Sequence, residues 1–365
     1  MKKKRVWCAL SGHGFGHFSQ LYPLLNQLDQ EIEGLEITLA GTLPSRVVKG
    51  YLNRPCHHIV RAQDVGLVQS DPMVVDLPAT TVALRAFHHH WPDQLEEEKR
   101  EMAAFEPDLL LSDIPYLAIE AAHQLGVPTV AIASLSWDHV LAAYYSLEEA
   151  EPLSWWKSMR SAYAKTTLAL LPDPAIEGDT FPNQHFIPPL TSPARAKKAA
   201  LRRGLGLVDD DERPLVLVSL GGIPSHSLPI QVLRRDKRFH WLLDCDVPPG
   251  EEHLHGVSTL TGWPFRTLSA SVDALVSKPG YGMSVASAVD GVPYLYSCRG
   301  RFPDEQPISR WLQHNNRAMA LDPVLFRSGA WGEALIALMQ QTPPRRPPLD
   351  GPQKAAGLIK KIMAG

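Results

Sequence analysis

Apolar residues along this chain fall into short unbroken runs, separated by stretches with helical spacing. Val6–Leu10 is one such run and reads as a strand buried on both faces. A glycine-rich loop follows, then an amphipathic helix from about His17 to Leu28 and a second strand at Leu35–Ala40. A long charge-rich helix is expected over Ala83–Glu106, ended by Pro107. Next come a strand at Asp108–Ser112, a helix at Ile114–Leu125 stopped by Gly126, and a strand at Val127–Ala133. Strands that are apolar throughout and alternate with helices predict a parallel sheet covered on both faces.

The alternation lapses between about Ser134 and Ser192, a stretch holding Trp137, Tyr144, Tyr145, Trp155, Trp156 and Tyr163. Core packing of these rings, an acceptor pocket and a membrane-leaning surface are all open readings, core packing being the first expectation. Ile187-Pro188-Pro189-Leu190-Thr191-Ser192-Pro193 is the best linker candidate, because stacked prolines stiffen an exposed connection. Alternation then resumes. Strands are expected at Pro214–Leu220, Phe239–Cys245, Gly256–Leu260, Ala274–Ser277 and Tyr294–Tyr296, with helices near Tyr281–Asp290, Gln306–His314 and Lys354–Met363.

The pattern divides the chain into a first Rossmann-like half (1–190), a second (191–350), and a closing helix (351–365) that can pack back on the first half. A length of 365 residues agrees, since single cores stop growing at about 250–300. The α/β reading predicts two parallel-sheet domains facing a cleft, with ligands at the carboxyl ends of the strands.

Composition narrows the function classes. Hydrophobic residues make up 44% and charged residues 21%, an ordinary globular mixture, and the formal charge of −3 gives no footprint for nucleic acid. The four cysteines (Cys8, Cys56, Cys245, Cys298) form no Cys-x-x-Cys pair, and Cys8 and Cys245 sit in apolar runs, so inert thiols and a cytoplasmic compartment are expected. No stretch approaches the roughly 20 apolar residues of a membrane helix. The basic start, Lys2-Lys3-Lys4-Arg5, is read as a solvated end, with peripheral contact to anionic lipid left open. His57-His58 and His88-His89-His90 lack a completing ligand set at useful spacing, so no metal and no cofactor are expected.

Chemistry is expected at three strand-to-helix loops. The first is Ser11-Gly12-His13-Gly14-Phe15-Gly16-His17, where the glycines let backbone approach a ligand and the helix N-terminus offers free N–H groups to an anion. His17 there is either a general base or a loop histidine capping the helix. The second is Asp113, at the tip of the Leu109-Leu110-Leu111-Ser112 strand. It either orients His17 or caps the next helix, and both can hold. The third is Ser277-Lys278-Pro279-Gly280-Tyr281-Gly282-Met283-Ser284, which suits a diphosphate, with Asp304, Glu305 and Gln306 placed for sugar hydroxyls. A plain connecting loop is the alternative reading there.

These motifs, in this order, resemble the GT-B glycosyltransferases that use nucleotide sugars, such as the bacterial lipid II N-acetylglucosaminyltransferase and the plant and animal UDP-sugar transferases. Ser-Gly-His-Gly-Phe-Gly-His, Ser-Asp-Ile-Pro and Ser136-Trp137-Asp138 are also similar to the glycosyltransferase-like N-terminal part of plant arabinokinases. The resemblance implies an inverting, metal-independent hexosyltransferase with a nucleotide sugar, such as a UDP-sugar, as donor and an acceptor of unknown kind. It implies that His17 deprotonates the acceptor and Asp113 orients it. Gly221 and Gly222 match the glycine turn of the donor half, Ser277 to Gly282 with Met283 the diphosphate loop, and Asp304 to Gln306 the acidic-amide pair on the donor sugar. Gly12, His13, Gly14, Gly16, Trp137 and Asp138 fall on the acceptor side.

One position departs from the resemblance: Ala286 stands where the family has a ribose-gripping glutamate. Loss of that acceptor would cost on the order of 1–3 kcal/mol in donor binding. Two other functions therefore stay open, a non-catalytic sugar-nucleotide binding protein on the same scaffold and a nucleotide-sugar epimerase.

Overall fold

A computed structural model describes residues 3–13, 15–208, 210–221, 228–247 and 250–364. In the first half the strands are β1 (Arg5–Leu10), β2 (Glu36–Ala40), β3 (His57–Ile59), a small antiparallel pair β4 (Gln69–Asp71) and β5 (Val74–Val75), β6 (Leu109–Asp113), β7 (Thr129–Ile132), β8 (Leu168–Pro172) and β9 (Gln184–Ile187). The main sheet runs β3-β2-β1-β6-β7-β8-β9 and is parallel at every pairing. The second half contributes β10 (Leu215–Val218), β11 (His240–Leu243), β12 (Leu254–Gly256), β13 (Ala274–Ser277), β14 (Tyr294–Tyr296) and β15 (Ala318–Ala320). Its order, β12-β11-β10-β13-β14-β15, is also parallel throughout.

Both sheets reverse their strand order beside the first strand of the half, at β1/β6 and at β10/β13. Those are the places where loops part and leave a crevice at the carboxyl edge. Apolar runs buried on both faces produced this arrangement. In β1 the residues from Val6 to Leu10 are all buried, because helices cover each side. The Phe15–Glu31 helix packs Phe18, Leu21, Leu24, Leu25 and Leu28 inward at helical spacing.

Several elements differ from the sequence reading. The long helix expected over Ala83–Glu106 is two, Leu77–His89 and Trp91–Phe105, broken at His90. Pro92 is the cause: it has no N–H to give and its ring clashes with the carbonyl of His88. The aromatic stretch holds two helices, Trp137–Tyr144 and Ala150–Tyr163, whose Trp137, Trp155 and Tyr163 lie in the first half's core, followed by β8 and β9. Strand β12 begins earlier than expected and passes into a tight turn at Val257–Thr259. Cys8 is buried, but Cys245 lies past the end of β11 and is half-buried.

The proline connection is not an exposed strut. Leu190 and Thr191 are buried, the Leu190 N–H donates to the Tyr281 hydroxyl at 3.0 Å, and the Ala194 N–H donates to Asp290 at 2.9 Å. The closing helix, Gly351–Ala364, crosses back to the first half, where Ala355, Ala356, Ile359 and Met363 share a core with Val6, Cys8 and Leu21. Among the described residues, no helix is long and apolar enough to cross a membrane.

Candidate active site

The first switch point brings His17 and Asp113 together. Leu10 of β1 pairs with Asp113 of β6, so the loop after β1 opens beside the aspartate. The His17 Nδ1–H donates to Asp113 Oδ1 at 2.8 Å, with His17 5% and Asp113 1% exposed. With Nδ1 donating, the lone pair sits on Nε2. Asp113 does not cap the following helix; Pro115 holds that position and no side chain caps it. Ile114, next to the aspartate, has φ 61, a left-handed conformation rare for a β-branched residue. Such a residue costs about 1–3 kcal/mol, and here it turns the chain sharply behind the dyad.

Burial alone would lower the His17 pKa. The Asp113 charge and hydrogen bond, with Asp64 and Asp304 farther off, outweigh it and raise the pKa above its ordinary value. Burial pushes the Asp113 carboxyl up, and the charge and hydrogen bond of His17 oppose that. His13 behaves oppositely. Burial, then the charges of His17, Lys278 and Arg299, bring its pKa down to about 3, so it is neutral.

The second switch point lies against the first. A Cβ on Gly282, in the first turn of the Tyr281–Asp290 helix, would stand 2.4 Å from Ser19 Oγ and 3.6 Å from Gly16 Cα. The N-termini of the Phe15–Glu31 and Tyr281–Asp290 helices therefore meet across the seam. Phe302 of the second half stacks on His13 at 6.4 Å and meets Tyr144 edge-on at 5.6 Å. The loop leading to His17 and the turn at Gly280–Gly282 thus border the same seam.

The other expected donor residues sort by what they touch. Gly280 opens the helix in extended conformation. Gly221 has φ 83 and lies against Lys278, its Cβ position 3.6 Å from Cε. Burial, then Arg299, push the Lys278 pKa down to about 7, against the pull of Asp304 and Glu305. Ser277 Oγ donates to the Ser219 carbonyl at 2.5 Å, tying β13 to β10. Tyr281 turns away to the proline connection, and Met283 packs into the core. Both oxygens of Glu305 are taken by the Arg299 and Gly300 N–H groups and the Arg299 side chain, so it braces its own loop. Asp304 is 7% exposed, and its Oδ1 is buried without a hydrogen-bond partner among the described residues. Gln306 is exposed. Gly14 and Gly222 lie outside the described residues.

On the acceptor side, Trp137 faces both histidines, at 5.4 Å from His13 and 6.0 Å from His17. Asp138 does not join them; it accepts from Thr180 at 2.8 Å and Arg160 at 3.3 Å. Gly12 packs against Thr42 and Gly16 has open space beside it. His88 is stacked among Trp91, Tyr116 and Trp155 rather than beside other ligands. No group of three His, Cys, Asp or Glu among the described residues is arranged to hold a metal.

Sequence reasoning missed Asp64, which follows β3 in irregular backbone and is 7% exposed. Its Oδ1 accepts from Ser11 Oγ at 3.0 Å and its Oδ2 from Trp137 Nε1 at 2.7 Å. Arg299 and Phe302 were missed as well. All three sit in loops, where no periodic signal marks them.

Comparison with known proteins supports the architecture. The structure superposes on the calicheamicin glycosyltransferase CalG4 with a TM-score of 0.62 at 16% identity, covering 100% of this chain and 99% of that one. It also superposes on a UDP-glucosyltransferase from Polygonum tinctorium that glucosylates indoxyl, with a TM-score of 0.62 at 12% identity and complete coverage of both. The chain has the GT-B fold. Its two parallel sheets meet with their switch-point helices, Phe15–Glu31 and Tyr281–Asp290, in contact. In sequence, the chain is 22% identical over 377 residues to an L-arabinokinase of Arabidopsis thaliana, covering 98% of this chain and 34% of the relative. It thus spans about a third of that protein's length. No protein-family profile matches the chain.

Proposed function

We propose that the chain is an inverting glycosyltransferase that moves a sugar from a nucleoside diphosphate sugar to an acceptor hydroxyl. The observation carrying this reading is the close approach of the helix start that bears His17, itself paired with Asp113, to the N-terminus of the Tyr281–Asp290 helix at Gly282. An anionic leaving group suits the meeting point of two helix N-termini and Lys278. His17 Nε2 takes the proton from the acceptor hydroxyl as its oxygen bonds to the anomeric carbon. The bond to the departing diphosphate oxygen breaks on the opposite face. The N–H groups at Gly280–Gly282 and the Lys278 ammonium stabilise the charge that develops, and the tight seam excludes competing water. Asp304, whose Oδ1 lies 3.9 Å from the Arg299 guanidinium and makes no hydrogen bond among the described residues, is the acid available to the donor sugar.

One observation favours binding without transfer. Ala286 carries no ribose acceptor, and Asp290 one turn on is committed to Arg266 at 2.6 Å and to the Ala194 N–H. The test separates the readings. Wild-type chain is screened by thermal shift with UDP-, GDP-, dTDP- and CDP-sugars, where ligand at 100 times its Kd stabilises by about 2.7 kcal/mol. The donor that stabilises is then assayed for transfer. His17→Ala should lower transfer about 10²–10⁴-fold while keeping donor affinity. Binding with no transfer in wild type establishes the non-catalytic reading, and interconversion of the donor without acceptor an epimerase.

A further inference from the structure

We infer that Asp64 is a second carboxylate serving His17, a positioning residue that sets the wall against both histidines and steadies the imidazolium formed when His17 takes a proton. Only that last clause rests on the transfer reading; the placement rests on geometry.

Asp64 sits where three pieces of the site converge. Through Ser11 it holds the residue leaving β1, at the root of the glycine loop. Through Trp137 it holds the indole that lies against His13 and His17. Two residues on, Gly66 has φ 62, and a Cβ there would stand 2.8 Å from the Trp137 ring and 3.1 Å from His13 Nδ1. The Asp64–Gly66 turn therefore fits closely round the Trp137–His13 pair. Its base is pinned. Arg61 and Gln63 both donate to Glu98, which is fully buried and also accepts from Trp7 Nε1 at 2.9 Å.

A neutral acceptor would satisfy one indole N–H. A buried carboxylate is costly unless donors and a nearby cation compensate it. Asp64 has the Trp137 and Ser11 donors and His17 nearby, and these oppose the upward push of burial on its pKa. The charged groups around His17 are Asp113 from β6, Asp64 from the loop after β3 and Asp304 from the second half. On the other side stand neutral His13 and, beyond it, Lys278 and Arg299. Protonation of His17 thus draws on acids from three separate segments.

The experiment follows the His17 ring by NMR titration in the full chain without substrate. Asp64→Asn keeps the shape and removes the charge, and should lower the proton affinity of His17 on the order of tenfold, as a carboxylate several ångströms away in a partly buried site implies. Trp137→Phe and Ser11→Ala each remove a hydrogen bond but keep the charge, and should leave that affinity near wild type. An unshifted His17 in Asp64→Asn overturns the inference, as does Trp137→Phe or Ser11→Ala matching its shift. Should Asp64→Asn not fold, the wild-type carboxyl carbon of Asp64 decides. Ionisation below the His17 midpoint with a second inflection at that midpoint supports the inference; a carboxyl still protonated there overturns it. Because no substrate is present, failure here leaves the transfer reading standing, and an inactive wild type leaves the titration valid.

Discussion

Lys278 shows how a single residue's surroundings convert into a measurable property. Its ammonium is half-buried beside Arg299, and the pKa falls to about 7 from a model-peptide value near 10.5. A diphosphate placed against it favours the charged form and raises the pKa again. Donor binding then takes up a proton. Affinity is greatest below pH 7 and falls by up to about tenfold per pH unit above it, until the pKa of the bound state is reached. Calorimetry at pH 8 in buffers of different ionisation enthalpy should register uptake approaching one proton. Lys278→Met should abolish both the uptake and the slope. The same uptake in that variant would move the titrating group elsewhere.

At the scale of elements, two helix N-termini are pressed together with glycine at the contact. Gly282→Ala places a methyl 2.4 Å from Ser19 Oγ and 3.2 Å from Ser19 Cβ, so the Ser19 hydroxyl must leave the Gly16 carbonyl and the backbone must give by a few tenths of an ångström. The expected result is about a tenfold loss of transfer, equivalent to roughly 1.4 kcal/mol in the barrier, with donor affinity less affected. Adding Ser19→Gly removes the obstructing atoms and should restore most of the rate. A double variant no better than Gly282→Ala would show that the glycine matters for its backbone and not for the contact. The broken helix at His90 belongs to this scale too. Pro92 is as plain in the chain as Pro107, yet only the second was read as a stop.

Across the whole molecule, the last helix stabilises the first domain. Ile359 is fully buried in a core made with β1 and the Phe15–Glu31 helix. Lys4 Nζ donates to the Met363 carbonyl at 2.8 Å, and Lys360 pairs with Glu31. Ile359→Ala should cost about 2–5 kcal/mol. Urea unfolding followed by hydrogen exchange should place the loss on β1, β2 and the Phe15–Glu31 helix. Losses confined to β10–β15 would contradict the packing. Gly351 adds a reason for the crossing, since a Cβ there would lie 2.3 Å from the Pro189 carbonyl oxygen. Chain end and interdomain connection run too close for a side chain between them.

Local chemistry by itself determined the two parallel sheets, the position of both glycine loops and the placing of Asp113 at the crevice, and left open whether that carboxylate meets His17 or caps the next helix. Runs that are apolar throughout have one stable home, between layers of helices, and a residue at a strand's carboxyl tip faces the crevice wherever the strand goes. Tertiary structure alone decided the rest. Asp64, Arg299 and Phe302 come from irregular backbone, whose path no periodicity constrains. Asp304 and Glu305 are neighbours of the same charge, and only the fold spends Glu305 on the loop at Arg299–Gly300 while leaving Asp304 Oδ1 without a hydrogen bond among the described residues. The resemblance put Asp138 on the acceptor side, but its helix carries it to Arg160 and Thr180. Which acids reach the histidine depends on contacts between residues distant along the chain, and those form only once the segments carrying them have packed together.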